Sequence, residues 1–151
     1  MIITLDAATL LARLKSISHR EVAEIPDTEA RYRAEAGTEK EAELKQDIRD
    51  GVAMCSHRVI RFLRRTFTRD IDNTPTWPET FVYELDLSER RLANKGDALE
   101  TAMNDFVLHY ALSKFYSNVS QIELSNRHSV LTNEAAKNIE QLLYTKLPPS
   151  V

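Results

Sequence analysis

Apolar residues recur at helical spacing over most of this chain, and the spacing shortens to two over a single stretch. The segment Phe106-Val-Leu-His-Tyr-Ala-Leu112 lies inside a helical pattern from about Asp97 to Asn118 and is apolar nearly all the way round. A helix that shows water only a narrow polar strip is a central one, covered on several sides. Nearer the start, Leu10, Leu11, Leu14 and Ile17 give an apolar side to a helix over about Asp6–Ser16. Asp6 or Thr4 stands where a side chain accepts the free backbone N–H groups of its first turn. From His19 to Gly37 the chain is polar, broken by Pro26 and anchored by Val22, Ile25 and Tyr32. It reads as a loop holding a short helix over about Asp27–Ala36, which Gly37 stops.

Thr38 through Glu41 reads as a capping box ahead of a long helix from about Glu39 to Phe67. Leu44, Ile48, Val52, Cys55, Val59, Phe62 and Phe67 carry its apolar stripe, widened by Ile60 and Leu63. Gly51 inside it fits a bend, a close approach of another backbone, or a solvent-facing position. After the turn-rich link Asp72–Pro78, Phe81, Tyr83, Leu85 and Leu87 alternate with Val82, Glu84 and Asp86, the pattern of a half-buried strand. A strand must pair; Met1–Leu5 is the candidate within the chain and a neighbouring subunit the candidate outside it. An irregular or helical segment over Phe81–Arg91 is the competing reading. Beyond the central helix, a link over Ser117–Thr132 is anchored by Val119, Ile122, Leu124, Val130 and Leu131. Thr132 or Asn133 then caps a last helix to about Leu147, which Pro148 and Pro149 end. The expected fold is mainly α, one helical domain over residues 1–151. It is a compact bundle of about four to five helices with one short strand-like segment near 81–87.

Composition narrows the classes of function. A domain of 151 residues buries about 68–70% of its unfolded surface, enough for a core without metals or disulfides. The formal net charge of −3 argues against general coating of nucleic acid or an anionic membrane and leaves only a local basic patch. The one cysteine, Cys55, forms no internal disulfide and reads as a small buried hydrophobe. No apolar run approaches the roughly 20 residues that cross a bilayer, and Met1–Asp6 does not read as a signal peptide. The expected location is therefore inside the cell that makes it.

The chain carries no recognisable catalytic constellation. Its glycines, at 37, 51 and 96, cannot form a phosphate loop. His19, His57, His109 and His128 show no paired helical spacing of a metal site, and no serine lies in a nucleophile elbow. His109, in the central helix, reads as a core or edge histidine satisfied by a hydrogen bond. No catalytic residue, cofactor or metal is expected.

Charge on the long helix is divided. Glu39, Glu41, Glu43, Asp47 and Asp50 occupy its first half, and Arg58, Arg61, Arg64, Arg65 and then Arg69 its end. Arg58, Arg61 and Arg65, three and four apart, would share one helical face. The macrodipole alone favours this order by about 0.3–1 kcal/mol for each charge. Two functional readings stand beside it: phosphate binding, and a head-to-tail contact between the acidic part of one subunit and the basic part of the next. The candidate interaction surface is Arg58, Arg61, Arg65 and Arg69, with the aromatic segment Trp77, Phe81 and Tyr83.

The order of elements resembles the head–tail connector (adaptor) proteins of tailed bacteriophages and prophages. The resemblance rests on Ala42–Arg65, on Leu99–Tyr116 with its Phe106–Leu112 centre, and on Ile139–Leu147 followed by Pro148-Pro149. It implies a non-enzymatic virion or assembly protein that forms a homo-oligomeric ring and contacts portal or tail proteins, with no catalytic residue. The insertion His19–Gly37 and the strand-like Phe81–Leu87 depart from that pattern. The alternative is a small helical nucleic-acid-binding regulator that uses the arginine face.

Overall fold

The computed structural model describes residues 1–34, 40–68, 77–87 and 95–144. Gly37 and Thr38, Arg69, the link residues 72–76 and the Lys146–Pro149 ending lie outside the described residues. The chain runs β1 (Ile2–Asp6), α1 (Ala7–Val22), α2 (Thr28–Ala34), α3 (Glu41–Arg58), β2 (Leu63–Thr68), β3 (Thr80–Leu85), α4 (Gly96–Asn118) and α5 (Ile122–Tyr144). Mainly α, it adds one small antiparallel sheet of order β1-β3-β2.

α4 is the axis of the fold. Leu99, Met103, Phe106, Val107, Leu108, Ala111, Leu112, Phe115 and Tyr116 are all buried, so its apolar circumference is covered as the sequence predicts. α3 and α5 flank it along its length, while α1 and β1 cover another side. Gly51 of α3 marks a close approach between the α3 and α4 backbones. A Cβ there would meet the Val107 carbonyl oxygen at 3.0 Å, so of its possible explanations the close backbone approach holds.

The expected strand is present as Thr80–Leu85, and Met1–Leu5 does supply a partner: Ile3 pairs with Tyr83 and Leu5 with Phe81. Alternation works on both strands, since Ile3, Leu5, Phe81, Tyr83 and Leu85 are buried while Ile2, Thr4 and Asp6 face out. The other partner corrects the sequence reading. Residues 63–68 are not the end of a long helix; α3 stops at Arg58, and β2 runs along the second edge of β3 with an irregularity between Leu63 and Arg65. Val59 N–H still bonds Cys55 O, but Phe62 N–H turns back to Val59 O at 2.9 Å and Asp86 N–H then bonds Phe62 O at 2.7 Å. Val59, Ile60, Phe62 and Leu63 form a short apolar run that fits either period. The unpaired edge of β3 and the β-favouring Thr66-Phe67-Thr68 decide for the strand.

Two helices exceed their expected lengths. α1 starts where Asp6 accepts Thr9 N–H at 2.7 Å, but it continues beyond Ser16 because Ser18 and Val22 are also buried. α5 begins at Ile122, so the expected Ser117–Thr132 link is a correction: most of it is helix. The actual turn is short. Ser120 takes a left-handed φ of 63°, and Gln121 N–H bonds Tyr116 O at 2.8 Å, closing the end of α4. Thr132 is therefore not a cap; inside α5 its hydroxyl donates to His128 O at 2.7 Å.

Gly51→Val tests the α3–α4 approach. The added branches press on backbone that cannot rotate away, and overpacking of this kind costs about 1–3 kcal/mol. Chemical denaturation should show that loss, whereas Ala53→Val on the exposed side of α3 should cost well under half of it.

Candidate functional site

The residues expected to share an arginine face are spread over three elements. Arg58 is the last residue of α3, Arg61 lies in the turn and Arg65 lies on β2; all three are exposed. They still collect at one end of the molecule, joined there by Arg64. Arg58 reaches Glu140 of α5 only at 4.0 Å, and Arg64 lies 3.9 Å from Glu84 and 3.5 Å from Asp86. Such exposed pairs hold their partners weakly.

The aromatic part of that surface needs correction. Phe81 and Tyr83 are buried in the core, and Tyr83 donates its hydroxyl proton to Val52 O at 2.7 Å, pinning β3 to α3. Burial pushes the Tyr83 hydroxyl up, so it stays a proton donor. Trp77 is half-buried: its ring meets Phe81 edge-on at 5.7 Å, and the Lys45 and Arg49 cations of α3 lie 5.4 and 5.6 Å from its centroid. Trp77 thus ties the approach to β3 onto α3. Cys55 is buried and its thiol is pushed up to about 12 by burial, which leaves essentially no thiolate at neutral pH.

Two polar clusters were not predicted. One sits between α3 and α4. Asp50 accepts a hydrogen bond from Lys114, which holds the Asp50 carboxyl below its ordinary range and raises the Lys114 ammonium. Asp47, one turn earlier, is 3% exposed, and its Oδ2 has no hydrogen-bond partner. Burial, followed by the Glu43 and Asp50 charges, pushes Asp47 up to about 7 against the opposing pull of Lys114. The signal for this site was a carboxylate placed between Leu44 and Ile48 on the inward stripe of α3.

The second cluster joins α1, α4 and α5. His109 Nδ1 lies 2.9 Å from His128 Nδ1, and His128 Nε2 lies 2.7 Å from Glu21 Oε1. Tyr116 donates its hydroxyl proton to the same Glu21 oxygen at 3.1 Å, and Arg127 stands 3.5 Å from the other. Burial opposes the charge on Glu21, but the His128 hydrogen bond and charge, with Tyr116 and Arg127, outweigh it and hold the carboxyl below its ordinary value. His109 is pushed down by burial and by His128, with Asp105 opposing. His109 is satisfied, as expected; its partner is another histidine from a segment expected to be a link.

An open groove of about 380 Å³ runs along α4 between α3 and α5. Ser113, Ser125 and Ser129 line it and bond mainly to one another, with Ser113 Oγ donating to Ser125 O at 2.9 Å. Among the described residues, no group of three or more His, Cys, Asp or Glu is arranged to hold a metal, and no helix is long and apolar enough to cross a membrane. No family model, curated protein or solved structure matches the chain.

Asp47 sets a pH dependence whose sign follows from its raised pKa. The folded state binds the proton more tightly than the unfolded chain, so the stability this group contributes is complete below its ordinary pKa of 3.8. That stability is lost as pH rises through about 7. Asp47→Asn should match the wild type in acid and exceed it above neutrality by about 1–3 kcal/mol, read from denaturation midpoints across pH. A difference that does not change with pH would refute the assignment.

Proposed function

We propose that this chain is a non-enzymatic phage or prophage assembly protein, a head–tail connector that works in a ring through subunit–subunit contacts and meets portal or tail proteins. The observation that carries this reading is the gathering of exposed arginines where α3 turns into β2, opposite the acidic start of α3. Arg58, Arg61, Arg64 and Arg65 gather exposed at its C-terminal end, and Arg61 has no ion-pair partner among the described residues. Glu41 and Glu43 stand at the other end, 17 and 15 residues before Arg58, or about 23–26 Å away along the helix. A contact between two different patches repeats head-to-tail and closes into a ring when its rotation allows. Opposed charges at its rim would steer encounter and fix register more than they add affinity. The sequence resemblance to the connector family supports the same reading through the two long helices Glu41–Arg58 and Gly96–Asn118, while residues 63–65 lie on β2 and the last helix is long.

The rival reading is a small nucleic-acid-binding regulator, favoured by the same exposed arginines. It requires salt-sensitive retention of DNA or RNA, because phosphate neutralisation releases counterions.

Light scattering and electron microscopy of the chain, alone and with the portal and tail proteins of the same phage genome, separate the two. Rings or a stable partner complex are expected. The double variant Arg58→Glu with Arg61→Glu should weaken assembly more than tenfold, while its own stability shifts by no more than about 0.5 kcal/mol per site. A chain that stays monomeric at high concentration and ignores those partners overturns the proposal. Salt-sensitive DNA binding lost in the same variant would favour the rival.

A further inference from the structure

The groove between α3 and α5 has a hydrogen-bonding polarity that helix packing leaves open. Ser113 donates its hydroxyl proton to Ser125 O at 2.9 Å, so in its 2.9 Å contact with Ser129 Oγ it accepts. Ser125 donates to Ser113 O at 2.7 Å, and Thr132 donates to His128 O at 2.7 Å. The hydroxyl protons of Ser125, Ser129 and Thr132 are therefore committed inside the protein. These three residues offer the groove lone pairs only, in a row spaced about 6 and then 4.5 Å along the α5 axis.

The α3 side has the opposite character. Arg58 reaches the groove from the end of α3 as a donor alone, and its paired carboxylate, Glu140, is 4.0 Å away, beyond hydrogen-bond reach. Lys114 also lines the groove but is already bonded to Asp50, so Arg58 is the less engaged cation. Met54, Phe106 and Tyr110 supply apolar surface. The volume of about 380 Å³ falls at the lower end of the roughly 300–1,000 Å³ of small-molecule sites. Several occupants fail here. None of the described lining residues is acidic, so an ammonium would face Arg58 with no carboxylate to balance it, and a metal ion would find no anionic ligand. An extended peptide alternates carbonyl oxygens with N–H groups along each edge and would set oxygen against the oxygens of α5. A row of hydroxyl donors beside one anionic group satisfies both walls.

We propose that this groove binds an acidic saccharide, a pyranose bearing a phosphate or carboxylate group. Its hydroxyls donate to Ser125, Ser129 and Thr132, and its anionic group takes the Arg58 guanidinium, which suits either anion. The C–H face of the ring lies against Met54 and Tyr110, out of water. A free sugar phosphate and an acidic unit of a polysaccharide share this chemistry. Binding requires neither a second copy of the chain nor an assembly partner.

The test titrates the full chain, followed by amide NMR, with glucose 6-phosphate, galacturonate and a galacturonate trimer, beside glucose and inorganic phosphate. At least one acidic sugar should bind saturably with Kd below about 1 mM and shift the amides of Tyr110, Ser113, Ser129 and Asn133. Glucose and inorganic phosphate should each bind at least about tenfold more weakly, since each meets only one wall. Tightest binding of glucose 6-phosphate assigns a free sugar phosphate, and of the trimer a polysaccharide. Ser129→Ala should lose about fivefold in affinity for the acidic sugar, with inorganic phosphate binding and the unfolding midpoint unchanged. Arg58→Gln should weaken acidic sugar and phosphate alike. No saturable binding of any of the three acidic sugars overturns the proposal. So does inorganic phosphate that binds as tightly as they do, the behaviour of an adventitious anion on an arginine. Shifts confined to residues outside the groove, or affinity unchanged in both variants, overturn it as well.

Discussion

The demand that α4 be covered all round organises the molecule. Phe106, Val107, Leu108, Ala111, Leu112 and Phe115 point in every direction from one helix, so no single neighbour can remove them from water. α3 and α5 close two sides, and α1 with the sheet closes a third. Close cover requires close backbones, which is why Gly51 lies against the Val107 carbonyl. The sheet follows from the same demand: Leu5, Phe81 and Tyr83 face inward, and a strand presenting them must have its own hydrogen bonds met by β1 on one edge and β2 on the other.

The interior is not wholly apolar, and its polar groups fall where helices meet. Each is either bonded into a chain, as Glu21, His128 and Tyr116 are, or left at a penalty, as Asp47 is. A bonded network specifies which faces meet, because a slipped helix would leave charged or polar atoms buried without partners. The unbonded carboxylate of Asp47 gives no such return in the isolated chain and makes the α3–α4 contact sensitive to pH.

The surface that bears on function is electrostatic. Its arginines come from a helix end, a turn and a strand, so their grouping is a product of the α3–β2 reversal and not of helical periodicity. Trp77 holds the described residues just before β3 against α3 by lying under Lys45 and Arg49. Phe81 and Tyr83, which alternation marks equally well as an exposed aromatic strip or a buried one, belong to the core because the helical layer lies on their side of the sheet.

Local pattern sufficed for the central helix and for the strand at Thr80–Leu85, and it narrowed the first cap to Asp6 or Thr4, of which the structure uses Asp6. It failed where an apolar run was too short to show its period, as at Val59–Leu63, and where inward positions were polar. The inward row Leu124, His128, Thr132, Ala135 and Ile139 is helical in spacing, but two of its members look like surface residues until their partners are known. The sequence by itself therefore determined the class of fold and the helix at its centre. Only the tertiary structure decided that residues 63–68 form a strand, that a glycine marks a helix crossing, and that Glu21 and His128, 107 positions apart, are hydrogen-bonded. Those outcomes depend on which distant segment supplies a hydrogen-bond partner, and periodicity along the chain does not encode that choice.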